Sequence, residues 1–265
     1  MNFRIFQLRS LKTKITFFTL AVFLISIWSL ALYASRVLRE DMQRVMGEQQ
    51  FSIASILASE VNQQLDDRLT ALGQVAQSIT PAMLGNTAAM QALLDQRPVL
   101  QGMFNGGTFT TRADGVATAS LPLSAGRFGV NYSDRDYVAT VLREGRPTIG
   151  KPVQSKVLNA AVFVMAVPIR DAQSRVIGVL AGVIDLSRPN FLERMTLSRY
   201  GQSGVYLIAA PQHGLFVTSS DKSRVMRPLP ASGANLMHDK YAQGYEGYGV
   251  LVNFRGEEEI TAAKG

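Results

Sequence analysis

RDYVATVLREGRPTIGKPVQSKVLNAAVFVMAVPIRDAQSRVIGVLAGVIDL, residues 135–186, decides the fold. It parses into one amphipathic helix and three strands. Tyr137, Val138, Val141 and Leu142 form the apolar face of the helix, and Gly145, behind Arg143 and Glu144, is its stop signal. Ser133 and Asp134 are good N-cap residues, with Asp136 three positions after Ser133, so the helix is expected to open there. Three strands follow, over residues 146–155, 159–171 and 174–186. Val, Ile and Ala fill them, while Gly, Pro and Asp punctuate them.

Upstream, residues 107–120 read as two strands around an Asp114-Gly115 turn, a strong hairpin signal. A loop over residues 121–130 holds Pro122, Gly126 and Gly129, and residues 86–97 read as a short helix ended by Pro98. This part of the chain is therefore expected to hold five strands, two before the organising helix and three after it.

Residues 35–80 read as one long helix. Ala54, Ala58, Val61, Leu65, Leu69, Leu72, Ala76 and Ile79 recur at spacings of three and four, and no proline intervenes before Pro81. Such a helix is about 65–70 Å long, more than an ordinary globular domain needs. It is expected to be a spine for several modules, a coiled coil, or both. Before it, residues 15–34 carry no charge and span about 30 Å as a helix, the thickness of a bilayer core. Trp28 and Tyr33 sit toward the far end, as interfacial aromatics do. Arg4, Arg9, Lys12 and Lys14 precede the span, which favours a cytoplasmic N-terminus. A cleaved signal peptide, cut near Ser29-Leu30-Ala31, is the competing reading, but the apolar run is long for one.

Downstream, residues 187–200 read as a connecting helix, broken by the glycines at 201 and 204. A second, weaker copy of the plan then begins. Strands are expected over residues 205–209 and 215–219, a helix over 234–243, and a hairpin over 249–263 with an Arg255-Gly256 turn. Aligning Gly214 with Gly115 superposes the two first hairpins. The second copy has four strands against five in the first, so the chain is expected to be truncated before a last strand and a second membrane span.

Four motifs in this order resemble the membrane-distal half of double Cache (dCache) domains, the extracytoplasmic sensors of bacterial receptors. They are Arg135-Asp136-Tyr137, Gly150-Lys151-Pro152, Ala166-Val167-Pro168-Ile169 with Asp171, and Gly178 through Leu186. With the flanking segments the resemblance covers roughly residues 15–265. It implies an α+β fold: a transmembrane helix, a spine helix and two PAS-like antiparallel-sheet subdomains, the second incomplete. The implied division is a cytoplasmic basic tail (1–14), a transmembrane helix (15–34), the spine (35–80), a membrane-distal subdomain (81–186) and a membrane-proximal one (187–265). The hairpin around Tyr248 resembles sensors attached to diguanylate cyclases; histidine kinases and chemoreceptors carry related modules.

Composition narrows the function. The chain has 265 residues, 47% hydrophobic, with a net charge of +7. The basic residues are scattered, apart from the N-terminal cluster, and form no stripe interleaved with aromatics, which argues against nucleic acid. There are no cysteines, so disulfides, thiolate metal sites and cysteine nucleophiles are excluded. The two histidines, His213 and His238, lack ligand spacing, so no metal and no cofactor is expected. Glu257-Glu258-Glu259 reads as solvated surface. No phosphate loop or nucleophile elbow is present, and no catalytic residue is assigned.

A binding site is proposed instead. Arg135, in the first turn of its helix, is placed to hold a carboxylate with the N–H groups of that turn. Asp185, ending an apolar strand, is placed to take an ammonium. The resemblance adds that amino-acid-binding dCache domains carry an arginine, aromatics two and three residues later, and an aspartate on the last strand. Arg135, Tyr137 and Asp185 match this pattern. Tyr137 stands where Trp is usual, and Val138 replaces the second aromatic. Tyr132 and Ser155 are further candidates by proximity. The competing reading pairs Arg135 with Asp134, Asp136 or Asp185 as a fold contact and makes Tyr137 core.

Three functions stay open: a receptor's sensor for a small ligand such as an amino acid or carboxylate; the regulatory part of a membrane enzyme, a diguanylate cyclase foremost; and a ligand-free anchored module that dimerises through the long helix. The expected location is the bacterial inner membrane, with the sensor in the periplasm.

Overall fold

The computed structural model describes residues 11–196, 204–233, 235–252 and 256–265. Helix α1 runs unbroken over Leu11–Gln77. Its first part is long and apolar enough to cross a membrane and is not buried in the protein. Within it the hydroxyls of Thr16, Thr19 and Ser26 donate to the carbonyls of Lys12, Ile15 and Val22, at 3.0, 2.9 and 2.9 Å. Those bonds satisfy polar groups that would be costly in hydrocarbon. The chain packs as two units. One joins the N-terminal stretch to Ser55 with Gly244–Gly265, and the other is Ile56–Gln243.

In the larger unit α1 shows the expected apolar stripe. Leu72 and Ala76 are buried, as is Ile79 just past the helix end, and Leu57, Val61, Leu65 and Leu69 pack beside them. Three short helices follow: α2 (Pro81–Leu84), α3 (Thr87–Asp95) and α4 (Pro98–Met103). Asn86 caps α3 by accepting from the Ala89 N–H at 3.1 Å. Helices α2 and α4 differ from the sequence reading, which has only the helix over 86–97 here: each opens with a proline, Pro81 and Pro98, which suits the first helical turn.

Strands β1 (Thr108–Arg112) and β2 (Ala117–Leu121) form the expected hairpin, with Gly115 at φ +80° in its turn. Helix α5 (Asp136–Glu144) comes next, then β3 (Thr148–Ile149), β4 (Val153–Gln154), β5 (Ala161–Arg170) and β6 (Val176–Asp185). The sheet is antiparallel, in the order β2-β1-β6-β5-β3, with β4 also pairing β5. Both faces are covered. From β5 and β6, Phe163, Met165, Leu180 and Ile184 pack toward the α1–α4 side. Val162, Val164, Val179 and Val183 pack with Tyr137, Val138 and Val141 of α5. A strand buried on both faces reads as a continuous apolar run, as these two do.

Two details differ from expectation. The strand expected over 146–155 is split at Gly150-Lys151-Pro152. Thr148 faces Ala166 and Val153 faces Val162, so six residues run against β5's five; the Gly150 N–H still reaches Val164 O at 2.8 Å, and one extra residue bulges out beyond it. Pro152 has no N–H to give a ladder, and the Lys151 N–H is taken instead by Asp136 Oδ2 at 3.0 Å. The sheet therefore has six strands. Helix α5 also starts later than expected, with Arg135 as N-cap and no side-chain cap bond. Ser133 donates its N–H to Asn131 Oδ1 at 2.8 Å, and Asp134 pairs with Lys156 at 2.5 Å, so neither caps the helix.

Beyond β6 lie α6 (Phe191–Thr196) and the hairpin of β7 (Leu207–Ala210) and β8 (Leu215–Ser219). Arg68 of α1 stacks its guanidinium 3.8 Å from the Phe191 ring centroid. The helix expected over 187–200 starts only at Phe191, because residues 187–190 form the turn out of β6; residues 197–200 and the Gly201 break lie outside the described residues. Helix α7 (Leu236–Ala242) is capped by Asn235, which accepts from the Met237 N–H at 2.9 Å. In the other unit β9 (Gly247–Val252) and β10 (Glu258–Ala263) form a hairpin. There Arg39 and Gln43 of α1 donate to Glu258 at 2.5 and 3.1 Å. The four strands of the expected second copy thus make two separate two-stranded sheets among the described residues. The Arg255 turn falls outside them.

Candidate functional site

The start of α5, β4 with the residues after it, and the α5-facing side of the sheet enclose a small cavity of about 10 Å³. Its floor is apolar: Phe109 from β1, Val162 and Val164 from β5, Val183 from β6. Four of the five residues singled out from sequence line it, namely Tyr132, Arg135, Tyr137 and Ser155. Asp185 does not.

Arg135 is half-buried and donates from Nη2 to the Gln154 carbonyl at 3.2 Å. It makes no ion pair with Asp134, Asp136 or Asp185 among the described residues. It precedes the first turn of α5 instead of lying in it. Tyr137 is 3% exposed, and a Cβ on Gly150 would come within 2.8 Å of its Cδ1, so the glycine lets the ring lie flat against the β3–β4 link. Tyr132 is 4% exposed and stacks on Phe109, centroids 4.6 Å apart and tilted by 35°. Burial pushes both phenols above the usual tyrosine range, so both stay neutral donors. Ser155 spends its hydroxyl on its own turn, accepting from the Val157 and Leu158 N–H groups at 3.3 and 3.0 Å.

Asp185 shares a sheet face with Val183 but lies one pleat further along β6. Its Oδ1 accepts from the Ser187 N–H at 2.9 Å and the Ser187 hydroxyl at 2.5 Å, and Oδ2 meets Arg188 Nε at 3.3 Å. Its backbone is held by Asn105 on both sides, at 2.8 and 2.9 Å. The geometry therefore gives Asp185 a structural role in the turn out of β6, and the strand residue facing the cavity is Val183.

Sequence reasoning missed Arg127, which it read only as part of a loop. The loop returns along β2 through bonds from the Gly129 N–H to Ala117 O and from the Ala117 N–H to Val130 O, both 2.9 Å. This carries Arg127 inward to 2% exposure. Its guanidinium donates to the Gly106 carbonyl at 2.5 Å and to Ser120 Oγ at 3.3 Å, and lies 5.6 Å from the Phe109 ring centroid. Burial pushes its pKa below the ordinary value. The glycines at 126 and 129 were the only sequence hint that the loop folds back. Lys156 also lines the cavity, donating to the Asn131 carbonyl at 2.7 Å and pairing with Asp134.

The site thus brings together three cations, two buried phenols and an apolar floor, an arrangement suited to holding a small anion. Among the described residues no group of three or more His, Asp or Glu side chains could hold a metal.

Comparison with known proteins agrees with this architecture. The family model for the dCache_1 Cache domain matches residues 38–265. No curated protein matches the chain. Among solved structures, the ligand-binding domain of the Pseudomonas fluorescens chemoreceptor CtaA, in complex with L-serine, is 20% identical with a TM-score of 0.59, over 84% of this chain and 89% of that one. The ligand-binding domain of the Pseudomonas aeruginosa amino acid chemoreceptor PctB, with L-Arg, is 20% identical with a TM-score of 0.61, over 82% and 80%. The periplasmic sensory domain of the Campylobacter jejuni chemoreceptor Tlp1 is 14% identical with a TM-score of 0.59, over 83% and 89%. At these identities the likeness speaks to the fold, whereas the family match spans most of the sequence. The chain belongs to the Cache domain family.

Proposed function

We propose that this chain is the extracytoplasmic sensing module of a bacterial transmembrane signal-transduction receptor. Residues 15–34 span the inner membrane with the N-terminus in the cytoplasm, and the cavity at the start of α5 receives a small molecule. The observation that carries the reading is a cavity lined by buried phenols and cations, inside a Cache domain, with no group set up for catalysis among the described residues that line it. Signalling is by population shift: ligand closes the pocket and biases two arrangements of α1 against its copy in a homodimer. A differential affinity of about 100-fold supplies about 2.7 kcal/mol, enough to redirect a balanced switch.

The output is a diguanylate cyclase, a histidine kinase or a chemoreceptor. The similar fold of the CtaA, PctB and Tlp1 chemoreceptor domains favours the last. A second reading, a ligand-free dimerisation module, draws support from the cavity volume of about 10 Å³, room for roughly one water.

A ligand-induced rise in the parent favours sensing, and Arg135→Ala tests the place of that residue in the site. Arg135 makes one long hydrogen bond and no ion pair among the described residues, so the variant is expected to keep the parent's ligand-free melting temperature. It should lose any ligand-induced rise. An unchanged ligand-induced rise would remove Arg135 from the site.

A further inference from the structure

We infer that the cavity selects a small carboxylate that bears no ammonium group, gripped at depth by Arg127 and Tyr132; this rests on the sensing reading above. Arg127 is the starting point. A guanidinium at 2% exposure is among the costliest groups to bury without a counter-ion. It has five N–H donors, and its partners among the described residues are one carbonyl and one hydroxyl, with no carboxylate within ion-pair distance. The Tyr132 hydroxyl lines the same cavity and is buried beside the Arg127 guanidinium, which its oxygen can face, while its O–H has no acceptor among the described residues. A donor with nothing to donate to, beside a cation with nothing to neutralise it, is complementary to one carboxylate.

The rest of the lining sets the selectivity. Arg135 and Lys156 add two further cations, and no acidic side chain lines the cavity among the described residues. An ammonium group would enter beside the uncompensated Arg127 and the half-buried Arg135, with Lys156 already held by Asp134. The nearby carboxylates are committed elsewhere: Asp134 to Lys156, and Asp185 to Ser187 and Arg188. Asp136 bonds the Lys151 N–H through Oδ2, and its buried Oδ1 lacks a partner, but it does not line the cavity. The floor of Phe109, Val162, Val164 and Val183 suits a short aliphatic chain. At about 10 Å³ the cavity must widen to admit even a three-carbon acid, and β4 with the residues after it is the wall joined to α5 through the bond from Arg135 to Gln154.

Matched pairs test this on the full chain in detergent. Propionate and L-alanine differ only by the ammonium group, as do succinate and L-aspartate, and inorganic phosphate controls for charge alone. The expected result is that propionate or succinate raises the melting temperature, with an affinity at least tenfold above that of its amino counterpart. Tyr132→Phe keeps the ring on Phe109 and removes only the orphaned hydroxyl. It should leave the ligand-free melting temperature equal or higher, and weaken the bound acid roughly ten- to a hundredfold. Arg127→Met should abolish binding, but it also releases Gly106, so the tyrosine variant decides. If alanine or aspartate binds as well as its partner acid, or phosphate alone binds, the inference fails while sensing stands. If none of the five shifts the folded protein, both fail. Undiminished binding to Tyr132→Phe would overturn the assignment of the grip.

Discussion

Single residues show where chemistry and architecture part. Asp185 and Val183 share one face of β6, yet one pleat separates a turn-capping carboxylate from the cavity wall. Asp185→Ala should therefore cost about 1–3 kcal/mol, by stripping the acceptor from the Ser187 N–H and hydroxyl. It should leave ligand affinity unchanged; a chemical melt beside a binding titration checks both. The buried phenols make a second prediction. Their folded pKa values are raised, so each holds its proton in the native state after the unfolded chain has begun to lose it. Their stabilisation is complete below the unfolded value near 10 and is lost as pH rises above it, by up to about 1.4 kcal/mol per pH unit for each tyrosine. Tyr137→Phe should flatten that alkaline limb, as read from melts between about pH 9 and 11. Arg135, Tyr132, Tyr137 and Ser155 are placed by the sequence at a helix start and the strand facing it, and the structure brings them to one cavity. Arg127 could not, since no periodicity marks a loop residue and only the long-range return along β2 buries it.

At the scale of elements, the strongest periodicities read true. The three-and-four spacing of α1 and the unbroken apolar runs of β5 and β6 come from surfaces that must be covered, and the structure covers them. Boundaries read less well. The start of α5 moved because Ser133 and Asp134 found partners in Asn131 and Lys156, which local cap rules do not see. The strand before β5 split because Pro152 and a carboxylate from α5 compete with the ladder. The α1 stripe can be tested by contrast. Leu72 is fully buried and Ile56 is 64% exposed on the same helix. Leu72→Ala should cost about 2–5 kcal/mol, and Ile56→Ala no more than about 0.5 kcal/mol, in denaturant unfolding. Similar costs would mean that the stripe packs differently.

The whole molecule combines an apolar span at the start of α1 with a sheet covered on both faces. The Cache fold was legible in the order of four motifs. Ligand class was not, because it turns on which side chains reach one small cavity. Melting of the detergent-solubilised full chain against amino acids, carboxylates and polyamines shows whether the cavity binds a small molecule. Ligand bound to the native state alone must raise the melting temperature by mass action. The expected result is a concentration-dependent rise with small carboxylates and none with polyamines. A folded protein whose melting temperature moves with no compound in the panel would contradict sensing and leave the anchored dimerisation module.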